Sequence, residues 1–173
     1  MSERISKWPG VELSAADLYE RKVTQTRFRP SAKYAWSAGE AMSRFLEELQ
    51  EGRLIARTCH SCKRILFPPR MFCEDCFRPT DEWTYIRDTG TIETFSISYL
   101  DTDAKRIADP ILVGVVSLDG ASAKMGMMHY FGEMTKDEIR IGMRVKAAWR
   151  PREDRKGSVL DILYFRPLRE GER

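Results

Sequence analysis

The chain has 173 residues, 42% apolar and 32% charged, with a formal net charge of +3. That length suits one compact domain, or a small module joined to a modest one, and so mild a charge permits an anionic partner without demanding one. No stretch approaches the about 20 apolar residues of a membrane span, and Met1 to Arg21 carries scattered charges instead of a hydrophobic signal core, so the expected location is cytoplasmic.

Residues 1–36 are polar and sparsely apolar. Ser14 and Asp17 suggest a short helix over Ala15–Val23, and Arg27-Phe28-Arg29-Pro30 reads as extended. We read this segment as an arm that orders only against a surface, with Trp8, Leu13, Leu18, Tyr19, Phe28, Tyr34 and Trp36 spaced as anchors. A better helix follows. Ser37 and Glu40 make an S-x-x-E capping box, and Met42, Phe45, Leu46 and Leu49 form one apolar stripe. Gly52 ends it, and Glu47, Glu48 and Glu51 are assigned to the wet face. Four large side chains are too few for independent stability, so this helix must pack on something.

All four cysteines fall in the next stretch, as Cys59-His60-Ser61-Cys62 and Cys73-Glu74-Asp75-Cys76. Two C-x-x-C clasps can close a tetrahedral thiolate cage, the geometry Zn²⁺ favours. A rubredoxin-type iron site uses the same cage, whereas thioredoxin-like redox motifs use one clasp and 4Fe–4S clusters use tighter runs. Structural zinc held by Cys59, Cys62, Cys73 and Cys76 is the preferred reading. With four thiolates available, His60 is expected to be a solvated loop residue. Thiols arranged for metal also suit a reducing compartment. Ile65-Leu66-Phe67 reads as a short strand stopped by Pro68-Pro69, and so small a ribbon must take most of its folding free energy from the metal.

After Pro79 the pattern becomes β. Thr84–Arg87 and Thr91–Tyr99 read as one long strand kinked at Gly90, followed by a polar loop from Asp101 to Asp109. Ile111–Leu118 and Ser122–Phe131 flank the turn signal Asp119-Gly120, and Glu133 to Gly142 is an interruption with a possible helical turn. Arg144–Arg150 and Ser158–Phe165 form a last hairpin around a charged loop. Five strands in this plan fit a Greek-key barrel of the OB type. The expected fold is therefore mainly β with N-terminal helices, a rubredoxin-like zinc ribbon followed by a five-stranded OB-fold barrel. The expected divisions are an arm at 1–36, helix and ribbon at 37–80, barrel at 81–168 and a tail at 169–173.

The chain resembles the zinc-ribbon/OB-fold family known as domain of unknown function 35. The resemblance rests on Phe45-Leu46-Glu47-Glu48-Leu49, Glu51-Gly52-Arg53-Leu54, the two clasps, Phe67-Pro68-Pro69-Arg70, Gly90-Thr91, Val116-Ser117-Leu118-Asp119-Gly120, Ile141-Gly142-Met143-Arg144-Val145 and Phe165-Arg166-Pro167, in that order. The arm falls outside it, and the second clasp lacks the proline and glycine often found beside the family's cysteines. The resemblance implies an accessory subunit of acyl-CoA enzymes, either thiolase-fold enzymes or hot-dog-fold enoyl-CoA hydratases. Such a subunit helps to bind the CoA thioester while the partner does the chemistry.

The residues themselves agree with a non-catalytic role. Thiolase-type chemistry needs an activated thiolate and an acid/base, yet every thiol is assigned to metal and the only histidines are His60 and His129. His129, mid-strand beside Tyr130 and Phe131, is expected to be structural. No catalytic residue is assigned. Arg144, Lys146, Arg150, Arg152, Arg155 and Lys156 cluster in the last hairpin. They read as a solvated tip, with contact to CoA phosphates as the functional alternative, and no CoA-contacting residue is named. Single-stranded nucleic-acid binding is the competing class, weakened by the scarcity of aromatics in the middle strands.

Overall fold

The computed structural model describes residues 14–20 and 33–172. The chain divides into two compact units, 1–36 and 37–173. In the first, helix α1 spans Ala15–Tyr19, shorter than the expected Ala15–Val23, whose last three residues lie outside the described ones. Trp8, Leu13 and Phe28 also lie outside them, while Tyr19, Tyr34 and Trp36 are exposed.

The second unit opens with helix α2, Gly39–Gln50. The expected capping box does not form. Ala38 occupies the N-cap in a helical conformation without a side-chain bond, and Ser37 Oγ accepts only the Gly39 N–H, at 3.3 Å. Gly39 enters the helix with φ +71°, which displaces the serine from the position where it would cap. The C-terminus ends as expected. Arg53 N–H donates to Glu48 O and Gly52 N–H to Leu49 O, the paired bonds of a Schellman motif, with Gly52 at φ +74°. A Cβ on Gly52 would also stand 2.4 Å from the Arg155 guanidinium.

The stripe packs inward. Phe45 and Leu49 are fully buried and Met42 and Leu46 partly so, and each full burial is worth about 1.5–3 kcal/mol. Glu48 departs from its assigned wet face and is only 7% exposed. It accepts from Arg53 Nε at 2.7 Å and from the Tyr85 hydroxyl at 2.8 Å, which ties the helix to the sheet beneath it.

That sheet holds β1 (Leu54–Thr58) between β2 (Ile65–Leu66) and β5 (Glu82–Ile86), all antiparallel. A small hairpin, β3 (Phe72–Cys73) with β4 (Arg78–Pro79), carries the second clasp. The expected single strand kinked at Gly90 is therefore two strands in two sheets. β5 belongs to the ribbon, and the chain turns at Arg87-Asp88 before β6 (Thr89–Leu100) begins. Gly90 lies inside β6 because its Cβ position is 2.4 Å from Ser117 O on the neighbouring strand.

The barrel strands are β6, β7 (Arg106–Leu118), β8 (Gly126–Tyr130), β9 (Arg144–Trp149) and β10 (Ile162–Pro167), in the order β10-β9-β6-β7-β8. A parallel bridge between Phe131 and Phe165, with Gly132 N–H donating to Phe165 O, closes the ring. This is the five-stranded plan of the OB fold. The polar loop expected over Asp101 to Asp109 shrinks to a tip, since β7 starts at Arg106 and includes Pro110. β8 starts later than expected, at Gly126, and the interruption after Glu133 holds turns, not a helix. Ribbon and barrel share one apolar core running from Phe45, Ile55 and Phe67 to Ile92, Val116, Val145 and Phe165. Among the described residues, no helix is long and apolar enough to cross a membrane.

Candidate metal centre

The clasps sit where short antiparallel pairings reverse the chain. β1 and β2 pair through Thr58–Ile65, and Cys59 N–H donates to Arg64 O at 2.8 Å, so Cys59-His60-Ser61-Cys62 wraps one tight turn. β3 and β4 pair through Cys73–Arg78, and Phe77 N–H donates to Cys73 O at 2.9 Å, so the second clasp repeats that turn. The residue after each second cysteine closes its turn in the left-handed region, Lys63 at φ 62° and Phe77 at φ 50°. Glycine is the low-strain residue for that conformation.

The four sulfurs converge. All Sγ atoms lie within 4.8 Å of one another, and Cys62 Sγ and Cys73 Sγ are 3.6 Å apart. Zn–S bonds of about 2.3 Å in a tetrahedron set sulfurs about 3.8 Å apart, so the cluster is capable of binding a structural Zn²⁺. Cys59 and Cys73 are buried, and Cys62 and Cys76 are half-buried. The backbone N–H of Cys62, aided by the neighbouring thiols, brings the Cys59 thiol down to about 6. At Cys62 the Arg64 backbone N–H pulls the same way, but burial and the thiols of Cys73, Cys59 and Cys76 push it up to about 12. All four sulfurs can be thiolates this close together only with a cation among them.

A charged shell surrounds the cage. Arg64 follows the first clasp and reaches into the second, pairing with Glu74 at 2.9 Å and with Asp75. Asp81 accepts the His60 backbone N–H at 2.6 Å and pairs with Arg78 at 2.9 Å, and the His60 N–H leads the causes that hold its carboxyl below the usual range. His60 is exposed, with Nε2 3.0 Å from Glu82, and is not one of the clustered ligand groups. Buried Arg57 donates to Thr80 Oγ1 and Thr80 O and stacks over Trp83. Sequence reading missed these roles for Arg64 and Arg57. The only cue was the acidic pair inside the second clasp.

The other expected site residues scatter. His129 is buried in the barrel and packs edge-on against Phe165. Its Nδ1 accepts the Tyr130 N–H at 2.9 Å and its Nε2 donates to Val159 O at 3.1 Å, while burial keeps the ring's pKa down. The basic cluster is largely spoken for. Arg144 pairs with Asp119, Arg152 with Glu51, and Arg155 stacks on Trp149.

Known proteins share this arrangement. Residues 46–82 match the family described as "ChsH2, rubredoxin-like zinc ribbon domain", and residues 83–150 match "ChsH2, C-terminal OB-fold domain". A DUF35 domain-containing scaffold protein of Methanocaldococcus jannaschii is 25% identical over 118 residues, covering 66% of this chain and 82% of that protein. Two solved structures share the fold at 21% identity. One is a DUF35-family protein of unknown function from Sulfolobus solfataricus, with TM-score 0.57, covering 75% of this chain and 84% of the other. The second is a chain of the Ltp2-ChsH2(DUF35) aldolase, with TM-score 0.54, covering 80% and 98%. With the cysteine cage, the domain order and these matches together, the chain belongs to the DUF35/ChsH2 family of zinc-ribbon/OB-fold proteins.

Proposed function

We propose that this protein is a zinc-stabilised accessory subunit. It scaffolds a thiolase-fold acyl-CoA enzyme and helps to hold the CoA thioester, with the ion held by Cys59, Cys62, Cys73 and Cys76. The observation that carries this reading is the commitment of all four thiols, the nucleophiles that thiolase-type chemistry would need, to one cage. All four thiols converge on one cage, and both ring nitrogens of His129 are bonded to backbone atoms. Among the described residues, no serine or thiol nucleophile is hydrogen-bonded to the His60 ring, whose Nε2 stands 3.0 Å from Glu82. A thiolase-type reaction requires a thiolate free to attack and an acid/base beside it. The chemistry therefore belongs to a partner. Relatives named as a scaffold protein and as one component of an Ltp2-containing aldolase support that division of labour.

When bound, the zinc supplies folding free energy and no open coordination position. The chain's own residues fix the ribbon on the barrel, because Ser122 N–H donates to Ile65 O and Ile65 N–H donates to Ser122 Oγ.

Co-expression with a thiolase-fold enzyme from the same genomic neighbourhood tests the reading. The expected result is co-elution in size-exclusion chromatography and activity that falls when this chain is withheld. An enzyme that elutes separately and is fully active alone would overturn it.

A further inference from the structure

Arg64 touches both halves of the cage. Its carbonyl accepts the Cys59 N–H at 2.8 Å, and its own N–H donates to the Cys62 sulfur. These two bonds fix the first clasp. The guanidinium then crosses to the second clasp, where one nitrogen meets Glu74 at 2.9 Å and another meets Asp75. Both acids lie between Cys73 and Cys76, inside the clasp itself. A second link runs outside the cage, from the His60 N–H to Asp81 and on to Arg78. It ends on β4 and reaches no residue of the second clasp.

Arg70 supplies the contrast. It also pairs with Glu74, at 3.2 Å, but from four residues earlier in the chain. That pair stays within the half of the cage that carries Cys73 and Cys76. Two arginines thus meet one carboxylate, and only Arg64 ties the clasps together. The Arg64 side chain is also 21% exposed against 47% for Arg70, so solvent screens its pairs less.

The cage opens most easily between its halves. The sulfurs of each clasp are bound to one tight turn, whereas residues 63–72 separate Cys62 from Cys73. Arg64 spans that gap with charge-assisted hydrogen bonds that use no sulfur.

We propose that Arg64 is a positioning residue that latches the two clasps together and sets how slowly the cage releases its ion. It acts through Glu74 and Asp75 and does not touch the metal. The inference rests on the zinc part of the reading above and is independent of the partner enzyme and of acyl-CoA.

The full-length zinc-loaded protein is mixed with excess chromophoric chelator, and release is followed by absorbance. Cobalt-substituted protein reports the sulfur ligands through its charge-transfer bands. Arg64→Leu is expected to release zinc about ten-fold faster, the combined effect of two partly screened pairs. Arg70→Leu stays within about two-fold of wild type, because its pair is exposed and bridges nothing. Arg64→Lys falls between them, since an ammonium keeps the charge without the fork. Asp75→Asn, at an exposed position, cuts one arm and speeds release about three-fold, and it carries the test if Arg64→Leu fails to load zinc. Raising the ionic strength from about 0.05 M to about 1 M speeds release from wild type and hardly changes Arg64→Leu, because salt screens the latch. Wild-type release rates in Arg64→Leu or Asp75→Asn overturn the proposal. Equal acceleration by Arg70→Leu overturns it too, since charge near the cage and not the bridge would then govern release. So do weakened cobalt charge-transfer bands in Arg64→Leu, which would mean a lost sulfur ligand. A wild-type chain that takes up no zinc would overturn the zinc reading and the latch together, whereas failure to co-elute with the enzyme would leave the latch untouched.

Discussion

Phe77→Gly should tighten zinc binding. Phe77 closes the second clasp at φ 50°, a conformation that costs a residue bearing a Cβ about 1–2 kcal/mol. Glycine removes that cost but loses about 0.5–1 kcal/mol more backbone entropy on ordering. The ring offsets little, because Phe77 is 88% exposed. The balance favours glycine by about 0.5–1 kcal/mol. Because metal binding and ribbon folding are one process, that difference is read as a zinc affinity about two- to five-fold higher. Competition with a chromophoric chelator measures it. Phe77→Ala is the control, since it removes the ring and keeps the Cβ, and it should leave the affinity unchanged. Alanine tightening zinc as much as glycine would place the effect in the ring and refute the strain argument. So would a glycine variant that binds zinc more weakly.

Protein purified without added metal should carry one zinc per chain by elemental analysis, and a well-folded metal-free protein with four titratable thiols would contradict the cage. Cys73→Ser should lower zinc occupancy sharply, because a hydroxyl replaces one of four thiolates. The isolated chain should neither thiolyse nor hydrate acyl-CoA, and robust turnover free of contaminating enzyme would refute the accessory role. Asp119 is held down to about 2 from 3.8 by its hydrogen bond from Arg144, then by Thr89. A folded-state value below the unfolded one means stability present above about pH 3.8 and lost as the pH falls through about 2. Arg144 is 44% exposed, so solvent screening leaves a contribution of about 1 kcal/mol. Asp119→Asn should therefore be less stable than wild type at neutral pH, and the gap in urea midpoints should close across that acid window. A gap that persists below it would show the ion pair to be irrelevant.

The metal centre was legible because its signal is local. Two C-x-x-C clasps set their own geometry, and Cys59, Cys62, Cys73 and Cys76 meet as their spacing implies. The stripe of α2 was legible for the same reason, since period alone places Phe45 and Leu49 on one face. What failed depended on partners distant in sequence. Glu48 sits among acidic neighbours and reads as wet, and its burial is made tolerable by Arg53 just past the helix, by Tyr85 of β5 and by Arg44 one turn back at 3.9 Å. The division of β5 from β6 was hidden because the turn at Arg87-Asp88 contains neither glycine nor proline, while Gly90 falls inside the strand as a false marker. The loop from Pro151 to Gly157 reads as a charged tip and Ser158–Phe165 as a strand, yet the strand starts only at Ile162, after a 3-10 turn at Val159–Asp161. The order of this loop comes from Asp161, which gathers three N–H groups and turns Val159 and Leu160 toward β8.

Ribbon and barrel are one mechanical unit, and this gives the zinc a reach beyond its four sulfurs. No flexible linker separates them. β5 passes into β6 through two residues, Arg87 N–H donates to Asp119 O, and Gly120 rests against Ile86. Ser122 is bonded twice to Ile65, six residues from Cys59 and three from Cys62. The turn made by Asp119 to Ser122 leads into Met125 and then into β8, whose Met128 and Tyr130 face out. A zinc ion held by the four cysteines would steady Ile65, and through Ser122 the start of β8, by way of these short connections.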